Sequence, residues 1–361
     1  MKMPTDVIRE EILQSGAISF ARFMELALYC PETGYYETLK GNVGRAGDFI
    51  TSVSTGSLFG ELLAFQFAEW GGALRLADGP LQLVETGAHD AKLARDILTW
   101  LQRHRPKLFS ETEYILVEPS LRRQSWQQET LKLFSNVRWI SRFNEPIRER
   151  FCGIMFSNEL LDAFPVHRLG WNAGERKWFE WGVALAGGDF RWTRIQRRDV
   201  PAALASLPAA LLSILPDNYT IEISPAAENW WQAAAGVLTQ GKLLAIDYGF
   251  TAAEQFSPAR LKGTLRAYHR HHVSDDLLAY PGEQDLTAHV NFSAIQTAGE
   301  EVGLKTEDYC TQPQFLTRIL QKAMTDKSFA TWDAKQTRQF QTLTHPEHLG
   351  RAFRVLVQSR E

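Results

Sequence analysis

Residues 81–98 read LQLVETGAHDAKLARDIL, and this stretch decides the fold of the chain. An apolar run ends in the acidic Glu85, Gly87 follows as a turn residue, and apolar residues then recur at helical spacing. This order predicts a parallel strand over 81–85 that leads into a helix over 91–103. A unit of this kind presents backbone N–H groups to a nucleotide-like ligand, so the sequence predicts a cofactor site at the turn.

The same alternation of strand and helix continues along the chain and predicts a doubly wound α/β fold. Further parallel strands are predicted at 113–117, 137–140, 153–156 and 242–246, and helices at 7–14, 19–29, 58–70, 121–133, 225–238, 292–302 and 315–324. The polar segment 267–281 is predicted to be a loop. Such a sheet is expected to bind ligands beyond the carboxyl ends of its strands.

A second, antiparallel region is predicted between the strands at 153–156 and 242–246. Aromatic residues alternate there, namely Trp171, Trp178, Phe179, Trp181, Phe190 and Trp192. The alternation favours antiparallel hairpins in an inserted aromatic-rich lobe, followed by one helix over 201–215. The predicted division is an N-terminal helical segment with a loop (1–72), a core (73–166 and 217–311), the lobe (167–216) and a C-terminal helical extension (312–361).

The composition is that of an ordinary globular protein. The chain has 361 residues, 44% of them hydrophobic, and its 39 basic and 42 acidic residues leave a net charge of -3. This balance indicates neither a nucleic acid nor a membrane as partner. Its three cysteines lie far apart and residues 1–16 carry no apolar core, so we expect reduced thiols and a cytoplasmic location.

Candidate site residues stand at or just after the ends of four of the five predicted parallel strands. Glu85 and Gly87 follow the first, Glu118 the second, Asn158 and Glu159 the fourth, and Asp247 the fifth. Glu118 stands where a carboxylate can accept both hydroxyl hydrogens of a ribose. The alternative for Glu118 is a helix-capping or surface role.

The segment after the fourth strand carries two carboxylates and an amide, on Glu159, Asp162 and Asn158. Carboxylates at this place can orient a guanidinium by paired hydrogen bonds and accept the proton that it loses. The alternative is a helix N-terminus whose acidic residues complement the helix dipole.

Two further segments have more than one interpretation. The small, polar loop 44–52 can fold over a cofactor, although its composition alone favours a plain connection. Asp285 and His289 lie four residues apart downstream of the His-rich segment 268–272, which raises the question of a metal site. Arginines are interleaved with these histidines, so a polar loop facing a substrate is the preferred interpretation and no metal ligand is assigned.

Several segments that occur in order carry a resemblance to a known family. They are 18–29, 34–36, 47–52 (GDFITS), 58–63, 158–166 (NELLDAFPV) and 282–290 (GEQDLTAHV). Together they resemble the MidA family of S-adenosylmethionine-dependent class I methyltransferases, whose mitochondrial members are complex I assembly factors. The resemblance implies a seven-stranded Rossmann-like core, S-adenosyl-L-methionine as cofactor, and methylation of an arginine in a protein partner.

The resemblance also implies roles for individual residues, taken motif by motif. Its cofactor site is expected to include Gly47, Asp48, Phe49, Glu85, Gly87, Ala88, Glu118, Asn158 and Glu159. Its catalytic residues are expected to be Glu159, Asp162, Asp48 and His289, with Asp285 beside His289 on the substrate side.

The chain departs from the family pattern at two places. His89 and Ala91 stand where the family turn has glycines, and Val53-Ser54 stands where it has Pro-Glu. A Cβ and an imidazole at position 89 can crowd a bound cofactor. The alternative function is therefore a degenerate methyltransferase fold that docks a protein through the aromatic lobe without catalysis. A dehydrogenase is a weaker third interpretation, because the turn lacks the G-x-G-x-x-G pattern.

Overall fold

The structure is a computed structural model that describes residues 2–38, 51–74, 79–143, 150–196, 200–269 and 272–361. It divides the chain into two compact units that are interleaved in sequence. The first unit comprises 1–39, 163–227 and 250–291, and the second comprises 40–162, 228–249 and 292–361. These boundaries differ from the predicted ones, because the N-terminal helices and the inserted lobe share one hydrophobic core in the first unit.

Seven strands of the second unit form a mostly parallel sheet. They are β1 (Leu81–Thr86), β2 (Thr112–Val117), β3 (Val137–Ile140), β4 (Phe151–Asn158), β5 (Leu238–Phe250), β6 (Lys305–Thr311) and β7 (Phe353–Arg360). Their order across the sheet is β6-β7-β5-β4-β1-β2-β3. Strands β1 to β5 run parallel, and β7 runs antiparallel to both of its neighbours. The predicted α/β class and the seven-stranded core are confirmed.

The last strand corrects the prediction of a helical extension at the C-terminus. Helices Gln312–Ala323 and Ala334–Thr344 are present, but Phe353–Arg360 then returns as β7 and pairs with β5 from Gly241 to Tyr248. β7 is buried along most of its length, and its sequence, FRVLVQSR, shows no regular alternation of apolar and polar residues that would predict a strand. The neighbouring edge strand β6 was missed because its residues are mostly polar.

Helices of the second unit cover the sheet. Their bounds are Leu58–Ala73, Lys92–His104, Pro106–Ser110, Leu121–Leu131, Pro225–Val237 and Phe292–Glu301, besides the two named above, with 3-10 turns at Val53–Thr55, Leu161–Ala163 and Lys327–Phe329. The main core packs apolar residues of the helices that begin at Leu58, Lys92 and Gln312 against β1, β4, β5 and β7. The predicted strand–turn–helix unit at 81–103 is confirmed.

The first unit is built around an antiparallel sheet in the order Ile18–Ser19, Lys177–Ala186, His167–Asn172 and Thr220–Ile223, with Asp189–Ile195 paired to Lys177–Ala186. The predicted antiparallel hairpins are thereby confirmed. Its helices are Pro4–Ser15, Phe20–Tyr29, Tyr35–Thr38, Ala202–Ala205, Ala209–Ile214 and Ala252–Gln255, with a 3-10 turn at Pro258–Arg260 and a short strand at Val290–Asn291.

Two segments of the first unit differ from their predictions. The helix expected at 201–215 is split into two short helices, because Pro208 has no N–H with which to continue the first one. The loop expected at 267–281 contains strands, and a small sheet has the order His272–Ser274, Arg266–His269 and Asp285–Thr287. Its short strands lie in a polar segment, which gives little periodic signal.

Strands β4 and β5 pack closely at Gly153 and Gly241, so a side chain added at Gly241 is expected to destabilise the fold. Gly241 has a φ of +126°, and a Cβ there would overlap the carbonyl oxygen of Gly153. We expect Gly241→Ala to lower the free energy of unfolding by about 3 kcal/mol or more in denaturant titrations. The control is Gly236→Ala, in a helix with open space around the new methyl group, which should raise it by up to about 1 kcal/mol. Equal effects of the two substitutions would contradict this packing.

Candidate functional site

The carboxyl ends of three parallel strands meet at one edge of the sheet. Thr86 of β1 lies opposite Ser157 of β4, and Asn158 lies opposite Ile246 of β5. The turns that follow are in contact, because a Cβ at Gly87 would lie 2.9 Å from Cδ1 of Leu160. The residues predicted to follow β1, β4 and β5 are therefore brought together.

The turn after β1 carries non-glycine residues in left-handed conformations. His89 has a φ of +46° and Ala91 a φ of +61°, while Gly87 has a φ of +78°. The imidazole of His89 lies beside Trp126 with 6.3 Å between ring centroids, and its Nδ1 is 3.8 Å from Oδ1 of Asp90. The side chain at the altered position thus packs toward the helix after β2, at the cost of backbone strain.

Glu85 is buried at the end of β1. Its Oε2 accepts a hydrogen bond of 2.5 Å from the hydroxyl of Tyr114 on β2. Burial raises the pKa of Glu85 to about 7, and the nearby charge of Asp90 adds to this shift, while the bond from Tyr114 opposes it. Tyr114 was missed from the sequence, because its place in an apolar strand looks like core packing.

Glu118 lies at the end of β2, as predicted for the ribose acid. Its Oε1 accepts hydrogen bonds from the Ser120 N–H and from Nε of Arg123, each 2.9 Å long. Its Oε2 accepts a bond of 3.1 Å from Nε2 of Gln127. Burial raises the pKa of Glu118, and these donors oppose the rise. Its contact with a ribose stays a prediction.

Glu159 has one engaged and one open carboxylate oxygen. Its Oε1 accepts hydrogen bonds of 3.0 Å from the Ser52 N–H and from Nδ2 of Asn158. Within the described residues, Oε2 of Glu159, Oδ1 of Asn158 and Oγ of Ser157 are buried without a hydrogen-bond partner. Burial raises the pKa of Glu159 to about 8. Buried polar atoms normally have partners, so this group of acceptors indicates a ligand that carries N–H or O–H donors.

Asp247, at the end of β5, uses both oxygens inside the protein. Its Oδ2 accepts hydrogen bonds from the backbone N–H groups of Leu160 (3.1 Å), Leu161 (2.8 Å) and Asp162 (3.4 Å), and its Oδ1 accepts one from Tyr248 (2.7 Å). Burial raises its pKa to about 7, against the effect of these bonds. Asp162 is buried beside it, as the predicted cluster requires.

The remaining predicted residues belong to the first unit or fall outside the described ranges. Asp285 and His289 belong to the first unit, where Oδ1 of Asp285 accepts a bond of 2.8 Å from the Tyr36 hydroxyl and the His289 N–H donates to Oγ1 of Thr264. Gly47, Asp48 and Phe49 fall outside the described residues. In the described part of the chain, no three His, Cys, Asp or Glu side chains are grouped to hold a metal ion.

Tryptophans of the inserted lobe pack inside the first unit. Trp171 and Trp178 are buried with their ring centroids 5.2 Å apart, in a cluster that includes Leu169 and Tyr219. Packing therefore accounts for these two residues of the aromatic pattern. None of the helices in the described ranges is long and apolar enough to cross a membrane.

Comparison with known proteins identifies the family. Residues 62–310 match the family described as "Putative S-adenosyl-L-methionine-dependent methyltransferase". The mitochondrial protein arginine methyltransferase NDUFAF7 homolog of Drosophila melanogaster is 27% identical, over 97% of this chain and 83% of that protein. The NDUFAF7 protein of Danio rerio is 28% identical, over 82% and 72%.

A solved structure gives the same result. A crystal structure of a Burkholderia thailandensis protein bound to S-adenosyl-homocysteine is 32% identical, with a TM-score of 0.84, and the match covers 99% of this chain and 92% of that one. The chain belongs to the methyltransferase family, so the resemblance, the S-adenosyl-L-methionine cofactor and the enzyme class are confirmed. The expected cytoplasmic location is wrong by this comparison, because the curated relatives are named as mitochondrial proteins.

The strained turn after β1 can be tested at His89, which stands where the family pattern has a glycine. Because the imidazole of His89 packs beside Trp126, we expect His89→Gly to relieve the left-handed strain and raise the free energy of unfolding by about 1 kcal/mol. The dissociation constant for S-adenosyl-L-methionine, measured by calorimetry, should change less than about threefold. Ala91→Gly serves as the matched variant with a similar φ and no ring. A tenfold gain in cofactor affinity restricted to His89→Gly would show instead that the imidazole obstructs the site.

Proposed function

We propose that this methyltransferase transfers the methyl group of S-adenosyl-L-methionine to a guanidinium nitrogen of an arginine in a protein. The observation that carries the proposal is the group of open acceptors at the end of β4, above all Oε2 of Glu159 and Oδ1 of Asn158. A guanidinium has only N–H donors, which match acceptors of this kind. The names of the relatives, protein arginine methyltransferases, support the same substrate class.

The residues at this edge fit the cofactor. S-adenosyl-L-methionine carries an ammonium and a sulfonium cation, and the edge offers the buried carboxyl group of Glu85 and the buried Oε2 of Glu159. Gly87 and Ala88 would hold the cofactor at the turn after β1, and Glu118 would accept from its ribose. When bound, the cofactor supplies an electrophilic methyl group. Gly47, Asp48 and Phe49, which fall outside the described residues, are proposed as further cofactor-binding residues.

Glu159 and Asp162 are proposed to hold the arginine and to receive its proton. Methyl transfer requires a nucleophile that is close and aligned, so the main task of these carboxylates is orientation. A pKa of about 8 also lets Glu159 accept the proton that the methylated nitrogen loses, because effective bases have a pKa near the working pH. Asp285 and His289 are proposed to act on the substrate side.

Substitution of Glu159 tests this proposal. Glu159→Gln keeps the shape of the side chain but replaces one of its oxygens with an amide donor and removes its negative charge. We expect kcat for methyl transfer to an arginine-containing peptide to fall by at least about 100-fold, in an assay with labelled methyl groups. The control is Glu69→Gln, at an exposed helix position, which should leave kcat unchanged.

Two results would contradict the proposal. One is transfer by Glu159→Gln at the rate of the unaltered protein. The other is transfer by the unaltered protein to lysine but not to arginine in matched peptides.

A further inference from the structure

Both carboxylate oxygens of Asp247 accept hydrogen bonds from backbone N–H groups, three of which belong to the residues directly after Glu159. One oxygen, Oδ2, gathers the N–H groups of Leu160, Leu161 and Asp162, while Oδ1 accepts from its neighbour Tyr248. Four backbone N–H groups thus converge on a single buried side chain. The 3-10 turn Leu161–Ala163 begins within this group.

The residue directly before this turn, Glu159, has an unfavourable backbone conformation. Glu159 has a φ of +51°, which a residue with a Cβ rarely adopts unless its surroundings impose it. Its own N–H donates to the carbonyl of Ile246, at 2.9 Å, directly before Asp247 on β5. The chain on both sides of Glu159 is therefore fixed to the same end of β5.

The side chain of Glu159 depends on this backbone. With the backbone so placed, Oε1 of Glu159 accepts hydrogen bonds from the Ser52 N–H and from the amide of Asn158, and Oε2 has no hydrogen-bond partner among the described residues. The same turn sets Leu160 against Gly87, where the turn after β1 begins. Loss of the hydrogen bonds to Asp247 would change the position of the Glu159 carboxylate and the packing between the turn after β4 and the turn after β1.

We infer that Asp247 is a positioning residue, whose carboxylate holds the 160–162 turn so that Glu159 presents its free oxygen to the methyl acceptor. This inference rests on the proposed function of Glu159. It assigns Asp247 no contact with substrate or cofactor. An uncharged residue at this place would leave some of the four N–H groups without an acceptor.

Asp247→Asn is the first test, because an amide has one acceptor oxygen and its nitrogen would face N–H groups. We expect kcat for the arginine peptide to fall about 30-fold in the unaltered background and less than threefold in the Glu159→Gln background. A residue that acts through Glu159 cannot lower kcat much further once Glu159 is lost. Equal reductions in both backgrounds, or no reduction in the first, would overturn the inference.

A crystal structure of Asp247→Asn gives a second readout that does not depend on activity. The inference predicts that φ of Glu159 leaves the left-handed region and that the hydrogen bond from Ser52 breaks. If Glu159 keeps both, the inference is wrong. Should the unaltered protein methylate no arginine peptide, the proposed function fails, and the crystal structure alone decides the role of Asp247.

Two further variants guard against a general loss of folding. Gln358→Met removes another buried polar side chain from the same sheet, whose Oε1 accepts a bond of 2.7 Å from the Trp231 indole. It should lower the melting temperature while kcat stays within threefold. If Asp247→Asn does not fold, Asp247→Glu takes its place in both measurements, because it keeps the charge but displaces the carboxylate by one methylene group.

Discussion

Burial of carboxyl groups at the carboxyl edge of the parallel sheet is the constraint on which the site depends. Glu85, Glu159 and Asp247 have little contact with water, and burial raises their pKa values to about 7, 8 and 7. A buried carboxylate must find donors or keep its proton. Asp247 meets this requirement with four backbone N–H groups and Glu85 with the Tyr114 hydroxyl. Glu159 meets it only in part, which leaves an acceptor for a ligand.

Because the donors are unequally distributed, two neighbouring carboxyl groups have different roles. Asp247 holds the backbone of the turn, and Glu159 carries the oxygen that remains open. In the altered turn after β1, His89 and Ala91 have a left-handed backbone conformation that glycines would adopt more easily.

The sequence was sufficient to predict the strands whose ends build the site. Apolar runs followed by a turn residue identified β1, β2, β4 and β5, and the carboxylates after them were placed at one edge by the geometry of parallel sheets. Strand β7 was missed because its sequence shows no regular alternation of apolar and polar residues. The bonds that Asp247 accepts from residues 160–162 could not be predicted either, since these backbone N–H groups lie about 85 residues away in the chain. A pattern of side chains along the sequence does not indicate which backbone N–H groups will meet a buried carboxylate.

The central claim is that Oε2 of Glu159 becomes the acceptor for a bound cation, so that the proton which burial favours on this carboxyl group in the free protein leaves when the cation binds. Its pKa of about 8 keeps it mostly protonated at pH 7, and a cation nearby favours the ionised form. The direct measurement is calorimetry of S-adenosyl-L-methionine binding at pH 7 in buffers of different ionisation enthalpy. The account predicts that the unaltered protein releases more protons on binding than Glu159→Gln does. Equal proton release by the two proteins would contradict it.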